Sequence, residues 1–226
     1  MSFKSIIYYG GKAESLSKGD LKSIEFYNMY RTIGTAVKLN PYQEDTYYFA
    51  QAIFTWGIGR VKEVNELLKY VLEYRNWDFQ IPFFLGFNYS YFLKDYEMAG
   101  NYFKMAAEMT GSPLFTNLAA RYFYEGGETE LGITFLEIMY KNANNEDVKK
   151  HYKLRLDSLR NIKLIEDAVK AFYKKMGKYP KELDDLVKYN FLEKIPEDPY
   201  GGKYFIGENN RIRTTSNFYL EKEEKK

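Results

Sequence analysis

The chain has 226 residues, of which 45% are hydrophobic and 19% aromatic, enough for one large domain or two small ones with a sizeable core. Its 33 basic and 31 acidic residues are well mixed and leave a net charge of +2, which argues against a nucleic-acid-binding surface. It contains no cysteine, which excludes disulfides and thiolate metal sites, and its single histidine argues against a zinc centre built by the protein alone.

The beginning of the sequence predicts neither a membrane span nor a signal peptide. No run reaches about 18 uninterrupted apolar residues, the length that a spanning helix needs. The opening MSFKSIIYYGG holds only a short apolar segment, residues 3–9, and lacks the apolar region and cleavage site of a secretory signal.

The first predicted helix begins after Asp20, a good N-cap residue, and ends at Asn40-Pro41. We interpret it as the second helix of a first hairpin whose opening helix is short or missing. Its apolar residues recur at helical spacing, at Leu21, Ile24, Tyr27, Tyr30, Ile33 and Val37.

Two further helical hairpins are predicted on either side of a more regular central one. The first covers residues 43–74 and turns at Gly57 and Gly59, and the other starts at Pro113 and turns at Gly126-Gly127. Their helices carry apolar residues three and four apart, which predicts one buried face on each helix.

The central hairpin, residues 78–113, has the most regular pattern of small and large residues. Small residues at Gly86, Ala99 and Ala106 would allow two helices to approach closely, with large side chains filling the space beside them. Comparable small residues at Ala50 and Ala120 give a repeat close to about 34 residues, the period of the tetratricopeptide repeat.

This pattern resembles the tetratricopeptide repeat, a helical hairpin that stacks on copies of itself. The resemblance implies a solenoid of helical hairpins over residues 1–144, and it implies a role in binding other proteins. A long helix is predicted over residues 145–177, capped by Asn145 and reaching Met176, and we expect it to cover the open face of the last repeat.

Residues 178–217 change character. A short helix led by Pro180 is followed by helix-incompatible Pro196 and Pro199, and a small β-hairpin is predicted from Tyr204–Ile206 and residues 211–213. This stretch resembles the major pseudopilin of type II secretion systems at Tyr179, Pro180, Leu183, Leu186, Leu192, Ile195, Pro196, Asp198, Pro199, Gly201, Gly202 and Tyr204.

The pseudopilin resemblance extends to the local fold only, because the pilin leader and the acidic calcium-binding loop of that family are absent. Residues 218–226 are predicted to be a charged, frayed tail. The fold class expected is therefore mainly α: a tetratricopeptide-like solenoid, a long capping helix and a small C-terminal α+β hairpin module.

As a whole, the chain resembles bacterial tetratricopeptide proteins that carry such a tail, in which a hydrophobic anchor helix precedes a segment like residues 5–10. The resemblance implies a periplasmic or membrane-anchored location for a longer native form with that anchor. Without an anchor, the expected location is cytoplasmic.

Candidate catalytic groups have plain structural interpretations. The pairs Asp184-Asp185 and Glu166-Asp167 are neighbours on helices, about 100° apart, and do not converge as an acid–base pair. His151 lies on a charged helix without a nucleophile or acid set, and the Pro199–Gly202 stretch lacks the pattern of a phosphate-binding loop. The sequence predicts no enzyme, no cofactor and no metal site.

The aromatic run between Phe83 and Phe92 is too dense for a single buried stripe, so part of it is expected to face outward. We predict that Asn88, Tyr89 and Tyr122 lie on the concave face of the repeats and bind an extended protein or peptide partner. The function predicted is a non-enzymatic scaffold for protein–protein interactions in a bacterial envelope or secretion-related assembly. The alternative is a structural subunit that assembles through its pseudopilin-like module.

Overall fold

The computed structural model describes residues 23–218, which contain nine α-helices and one small antiparallel sheet, so the chain is mainly helical as predicted. The elements form two compact units, unit 1 (residues 1–112) and unit 2 (residues 113–226). The apolar segment at residues 3–9, the Asp20 cap and the tail from residue 219 lie outside the described residues. Among the described helices, none combines the length and apolar content needed to cross a membrane.

Unit 1 has five described α-helices. Two of them continue directly into π-helical segments, in which the backbone is wound more loosely than in an α-helix. The elements are α1 (Ser23–Leu39), α2 (Glu44–Ala50) with the π segment Gln51–Gly57, α3 (Val61–Tyr74), α4 (Gln80–Phe87) with the π segment Asn88–Leu93, and α5 (Tyr96–Thr110).

The helix pairs predicted at residues 43–74 and 78–113 are present, but the π segments were not predicted. Lys94 adopts a left-handed conformation at the end of the second π segment and turns the chain towards α5. Asp95 caps α5 by accepting a hydrogen bond from the backbone N–H of Met98 at 3.1 Å, and Gly111 ends α5 with φ of 65°. Local cap chemistry therefore sets both ends of α5.

The core of unit 1 depends on a close approach of α4 and α5 at Gly86. A Cβ atom added to Gly86 would lie 3.0 Å from Cγ of Phe103, which is tighter than ordinary packing, so the predicted close contact is confirmed. All five described helices of unit 1 contribute fully buried apolar residues to its core, among them Ile33, Tyr47, Ala50, Val64, Leu68, Leu85, Ala99 and Ala106.

Unit 2 begins with a helical hairpin and contains the long helix and the C-terminal module. Its elements are α6 (Pro113–Gly126), α7 (Thr129–Asn142), α8 (Glu146–Met176), α9 (Asp184–Lys188), β1 (Tyr204–Ile206) and β2 (Ile212–Thr214). The side chain of Asn145 accepts hydrogen bonds from the N–H groups of Asp147 and Val148, so the predicted cap of α8 is confirmed. The helix after Pro180 is shorter than predicted and covers only Asp184–Lys188.

The boundary between the units differs from the one expected at residue 144. Tyr124 of α6 and Leu136 of α7 share one apolar core with Leu159 of α8 and with residues of the C-terminal module. The fourth hairpin therefore belongs to the same compact unit as the long helix, because α8 covers its apolar face.

The sheet lies after residue 195, as predicted, and the described residues before it contain no strand. Its two strands pair Tyr204 with Thr214 and Ile206 with Ile212. The hydroxyl of Tyr124 donates a hydrogen bond to the carbonyl of Ile212 at 2.6 Å, which joins the sheet to α6 within unit 2.

Candidate functional site

The structure places Asn88 in the interior of unit 1, so the expectation that it faces an open groove is wrong. Its side chain is 0% exposed and exchanges two hydrogen bonds with the Gln51 amide, at 2.9 and 2.8 Å. It also donates to Oδ1 of Asn65 at 2.7 Å. Both π segments begin at this amide pair, since Gln51 is the first residue of one and Asn88 the first of the other.

The other two predicted binding residues, Tyr89 and Tyr122, are also covered at least in part. Tyr89 is buried and stacks on Tyr102, with ring centroids 5.6 Å apart and an interplanar angle of 8°. Tyr122 is half-buried on α6 and belongs to unit 2, whereas Asn88 and Tyr89 belong to unit 1. Their binding role stays a prediction, and the geometry of unit 1 points to a neighbouring set of rings instead.

We define the aromatic surface of unit 1 as six residues: Tyr48, Trp56, Phe84, Phe87, Tyr91 and Phe92. Three of them are more than half exposed: Tyr48 at 52%, Trp56 at 57% and Tyr91 at 54%. Singly exposed aromatic side chains are common, but several that adjoin one another in an apolar patch often mark a surface that meets another molecule.

The rings of the aromatic surface pack on each other around Trp56. Its ring centroid lies 5.6 Å from Phe87, 5.7 Å from Tyr91 and 5.0 Å from Phe92. A second contact joins Tyr48 to Phe84 at 5.8 Å. These distances fall in the range of favourable aromatic pairs, so the rings fix each other's orientation.

An open cavity of about 230 Å³ lies among these rings. No charged side chain is among the described residues that line it, which are Tyr48, Gln51, Ala52, Trp56, Phe83, Phe84 and Phe87. The polar atoms of Gln51 are already engaged with Asn88 and with the hydroxyl of Thr55. The lining is therefore apolar and aromatic, with the tips of Tyr48 and Trp56 as its polar groups.

The two π segments position the surface. Trp56 lies in the segment Gln51–Gly57, and Tyr91 and Phe92 lie in the segment Asn88–Leu93. A π turn takes up an extra residue and shifts every following side chain around the helix, and such turns are frequent at functional sites. The buried amide pair locks the two segments together beneath the rings.

The buried carboxylates of both units serve the fold. In unit 1, Asp78 accepts hydrogen bonds from the hydroxyl of Tyr47 at 2.5 Å and from the guanidinium of Arg75 at 2.8 Å. Burial and the bond to Asp78 raise the pKa of Tyr47 well above its ordinary value. This group of three residues ties the start of α4 to α2 and α3.

In unit 2, the carboxylate of Asp198 accepts hydrogen bonds from the hydroxyls of Thr214 and Ser216 and from the backbone N–H of Tyr200. Asp198 therefore caps this turn within the fold. His151 is exposed on α8, as predicted. Within residues 23–218 no group of three or more histidine, aspartate or glutamate side chains is arranged to hold a metal ion.

Sequence reasoning identified that part of the run from Phe83 to Phe92 faces outward but missed Tyr48 and Trp56 as its neighbours. A usable signal existed, because Trp56 and Phe92 are separated by the same interval as the aligned small residues Ala50 and Gly86. Equivalent positions in successive hairpins are expected to lie side by side, and these two rings do.

Comparisons with known proteins assign no family to this arrangement. No protein-family model matches the chain, no curated protein matches its sequence, and no solved structure matches its fold.

Proposed function

We propose that this protein is a non-enzymatic interaction scaffold that binds a polypeptide partner through the aromatic surface of unit 1. The observation that carries the proposal is the exposure of Tyr48, Trp56 and Tyr91 around an open, uncharged cavity. Tryptophan and tyrosine dominate the binding energy of protein interfaces, because a large rigid ring loses little conformational entropy when it is covered.

The arrangement of the helices supports a repeat scaffold. The two helices of the hairpin α4–α5 approach closely at Gly86, and the π segments that follow α2 and α4 are paired through Gln51 and Asn88. We propose that these hairpins are tetratricopeptide-like and that the hairpin α6–α7 is a further member of the series. Such hairpins bury one face against a neighbour and offer another to partners.

Binding without catalysis is supported by how the polar groups are used. The buried carboxylates Asp78 and Asp198 are both engaged by two or more donors within the fold. The pairs Asp184-Asp185 and Glu166-Asp167 lie on helices at adjacent positions, which point in different directions.

The alternative function, a structural subunit that assembles through the pseudopilin-like module, is favoured by a different observation. Tyr173 and Tyr179 stack at 4.4 Å and are each about half exposed, next to the partly exposed Met176 at the end of α8. A bacterial envelope or secretion-related setting for either role rests on the pseudopilin resemblance alone.

A random peptide library selected on the purified protein tests the scaffold proposal. Peptides enriched on the wild type should be lost on Trp56→Ala and retained on Trp77→Ala. Trp77 is a matched control because it lies in the same unit and is 61% exposed. Enriched peptides that bind both variants equally would show that the binding surface lies elsewhere. That result would remove the basis for the proposal.

The alternative has its own test. Sedimentation of the full chain over a range of concentrations should show self-association that Tyr173→Ser and Tyr179→Ser abolish together. A monomer at all concentrations would remove the structural-subunit alternative and leave the scaffold proposal standing.

A further inference from the structure

We infer that the partner segment held by the aromatic surface is proline-rich and binds in the polyproline II conformation. This inference rests on the proposed function, since it names the class of peptide that the same surface would take. It follows from three properties of the surface: its charge, its hydrogen-bonding groups and its shape.

Charge complementarity selects an uncharged occupant. No lysine, arginine, aspartate or glutamate is among the described residues that line the cavity, although 28% of the chain is charged. The nearby cation Lys94 sits over the outer ring of Tyr91 at 5.3 Å. A charged peptide would lose hydration against these rings without gaining a counter-charge, and a nucleic-acid strand would need a positively charged groove.

Hydrogen bonding selects an occupant that mainly accepts. The indole N–H of Trp56 can only donate, and the hydroxyls of Tyr48 and Tyr91 can each donate. Within residues 23–218 none of these three groups has a hydrogen-bond partner. The amide of Gln51, the other polar side chain of the lining, is already paired with Asn88.

A polyproline II segment matches this donor bias. Proline has no backbone N–H, and the polyproline II conformation makes no internal hydrogen bonds, so its carbonyls point outward as acceptors. An oligosaccharide also stacks on aromatic rings, but its hydroxyls need acceptors as well as donors. The hydroxyls of Tyr48 and Tyr91 can also accept, but the indole N–H of Trp56 can only donate, and the described residues of the lining include no carboxylate to receive a sugar hydroxyl, which makes a sugar the weaker fit.

Shape favours a peptide lying across the surface over an enclosed small molecule. The cavity of about 230 Å³ is open and smaller than the roughly 300–1,000 Å³ of typical small-molecule sites. Aromatic-lined grooves that take proline rings side by side are an established way to read polyproline II segments. The rings here are already packed on one another around Trp56, so little ordering is needed on binding.

The chain allows a direct measurement because it has two tryptophans, Trp56 and Trp77. In a nitrogen-15-labelled sample each gives one indole N–H signal, and Trp77→Phe identifies which is which. Decaproline is titrated into the full chain, with a glycine–serine peptide of equal length as the control. We expect a saturable shift of the Trp56 signal with decaproline only, and an unchanged Trp77 signal.

Variants then locate the binding. Trp56→Ala should weaken decaproline binding by about tenfold or more, whereas Trp77→Ala should change it by less than about twofold. If Trp56→Ala fails to fold, Trp56→Phe keeps an aromatic ring in the cluster while it removes the N–H donor and part of the ring area. That variant, and Tyr91→Phe, should each weaken binding about threefold while leaving the melting temperature unchanged.

The outcomes separate this inference from the proposed function. If decaproline leaves the Trp56 signal unmoved up to about 1 mM while library-selected peptides without proline shift it, the polyproline inference is overturned and the scaffold proposal stands. If only oligosaccharides shift it, both are overturned.

Discussion

Tyrosine is used differently in the two units. In unit 2, the buried tyrosines point their hydroxyls inward: Tyr124 donates to the carbonyl of Ile212, and Tyr204 bonds Ser158. In unit 1, Tyr48 and Tyr91 are more than half exposed and are held by ring contacts. Aromatic residues fill the core of both units, as Tyr47 does in unit 1, and unit 1 in addition exposes the ring cluster around Trp56. The environment of each hydroxyl distinguishes the buried tyrosines from those of the exposed cluster.

The largest expected effect comes from cutting the chain inside unit 2. A fragment of residues 1–144 keeps α6 and α7 but removes α8, which covers Tyr124 and Leu136. We expect this fragment to aggregate, because large apolar side chains become exposed, whereas a fragment of residues 1–112 stays monomeric. Light scattering of both fragments is the measurement. A soluble, cooperatively unfolding 1–144 fragment would show that the hairpin does not depend on α8.

Gly86→Leu should destabilise unit 1 strongly. The added side chain would meet the ring of Phe103, and overpacking of this kind costs about 1–3 kcal/mol or more. Gly34→Leu is the matched control, since a Cβ at Gly34 meets nothing within 4 Å. Urea unfolding measures the free energy of unfolding of both variants. Equal stability of the two would mean that α4 and α5 are not in close contact at this point.

Asn88→Ala tests whether the amide pair beneath the aromatic surface is structural. Removing Asn88 leaves the Nε2 donor of the buried Gln51 amide without its partner, which should lower the free energy of unfolding by about 1–3 kcal/mol. Asn101→Ala, at an exposed position of α5, should change it by less than about 0.5 kcal/mol. Thermal unfolding measures the stability of both variants. An unchanged stability of Asn88→Ala would return Asn88 to the candidate binding residues.

A pair of hydroxyl deletions sharpens the comparison of the units directly. Tyr124→Phe should cost about 1–2 kcal/mol of stability, because a buried hydrogen bond of 2.6 Å is lost and the Ile212 carbonyl is left unpaired. Tyr91→Phe should leave stability unchanged and affect only peptide binding. If both variants unfold alike, the distinction between core and surface tyrosines fails.

The smallest effect concerns Glu166, a partly buried residue of α8 that accepts a hydrogen bond from Thr129. Burial raises the pKa of its carboxyl above the ordinary value, and the Thr129 bond and nearby cations only partly oppose this. The folded chain therefore holds this proton more tightly than the unfolded chain. Its contribution to stability is lost as the pH rises from the unfolded to the folded pKa.

Glu166→Gln should accordingly raise the melting temperature near neutral pH and give no gain below the ordinary glutamate pKa of about 4.3. Glu193→Gln, at an exposed position of the same unit, should show no such pH-dependent gain. A gain at Glu166 that is the same at both pH values would attribute the effect to something other than ionisation.

Local signals in the sequence predicted much of the fold. The cap at Asn145 and the close contact at Gly86 each depend on a few neighbouring residues, and both are present. The position of Asn88 was not predictable in this way. It lies at the first residue of a π segment, and where the extra residue of a π turn falls determines which later side chains point inward.

The unit boundary and the aromatic surface depend on contacts between residues far apart in sequence. The packing of α8 decides whether α7 ends one unit or joins the next. The helical spacing of the apolar residues in α8 does not predict which surface α8 packs against. Trp56 can be recognised as part of a binding surface only from its contacts with the rings of Phe87 and Phe92, which belong to the next hairpin.

The bond between Tyr124 and Ile212 also bears on the order in which the chain folds. It joins residues 88 positions apart, whereas the polar bonds of unit 1 between Tyr47 and Asp78 and between Gln51 and Asn88 span 31 and 37. Contacts between distant residues slow folding, because a long loop must close before they form. During synthesis from the N-terminus, unit 1 can fold early, while the core of unit 2 stays open until β2 has left the ribosome.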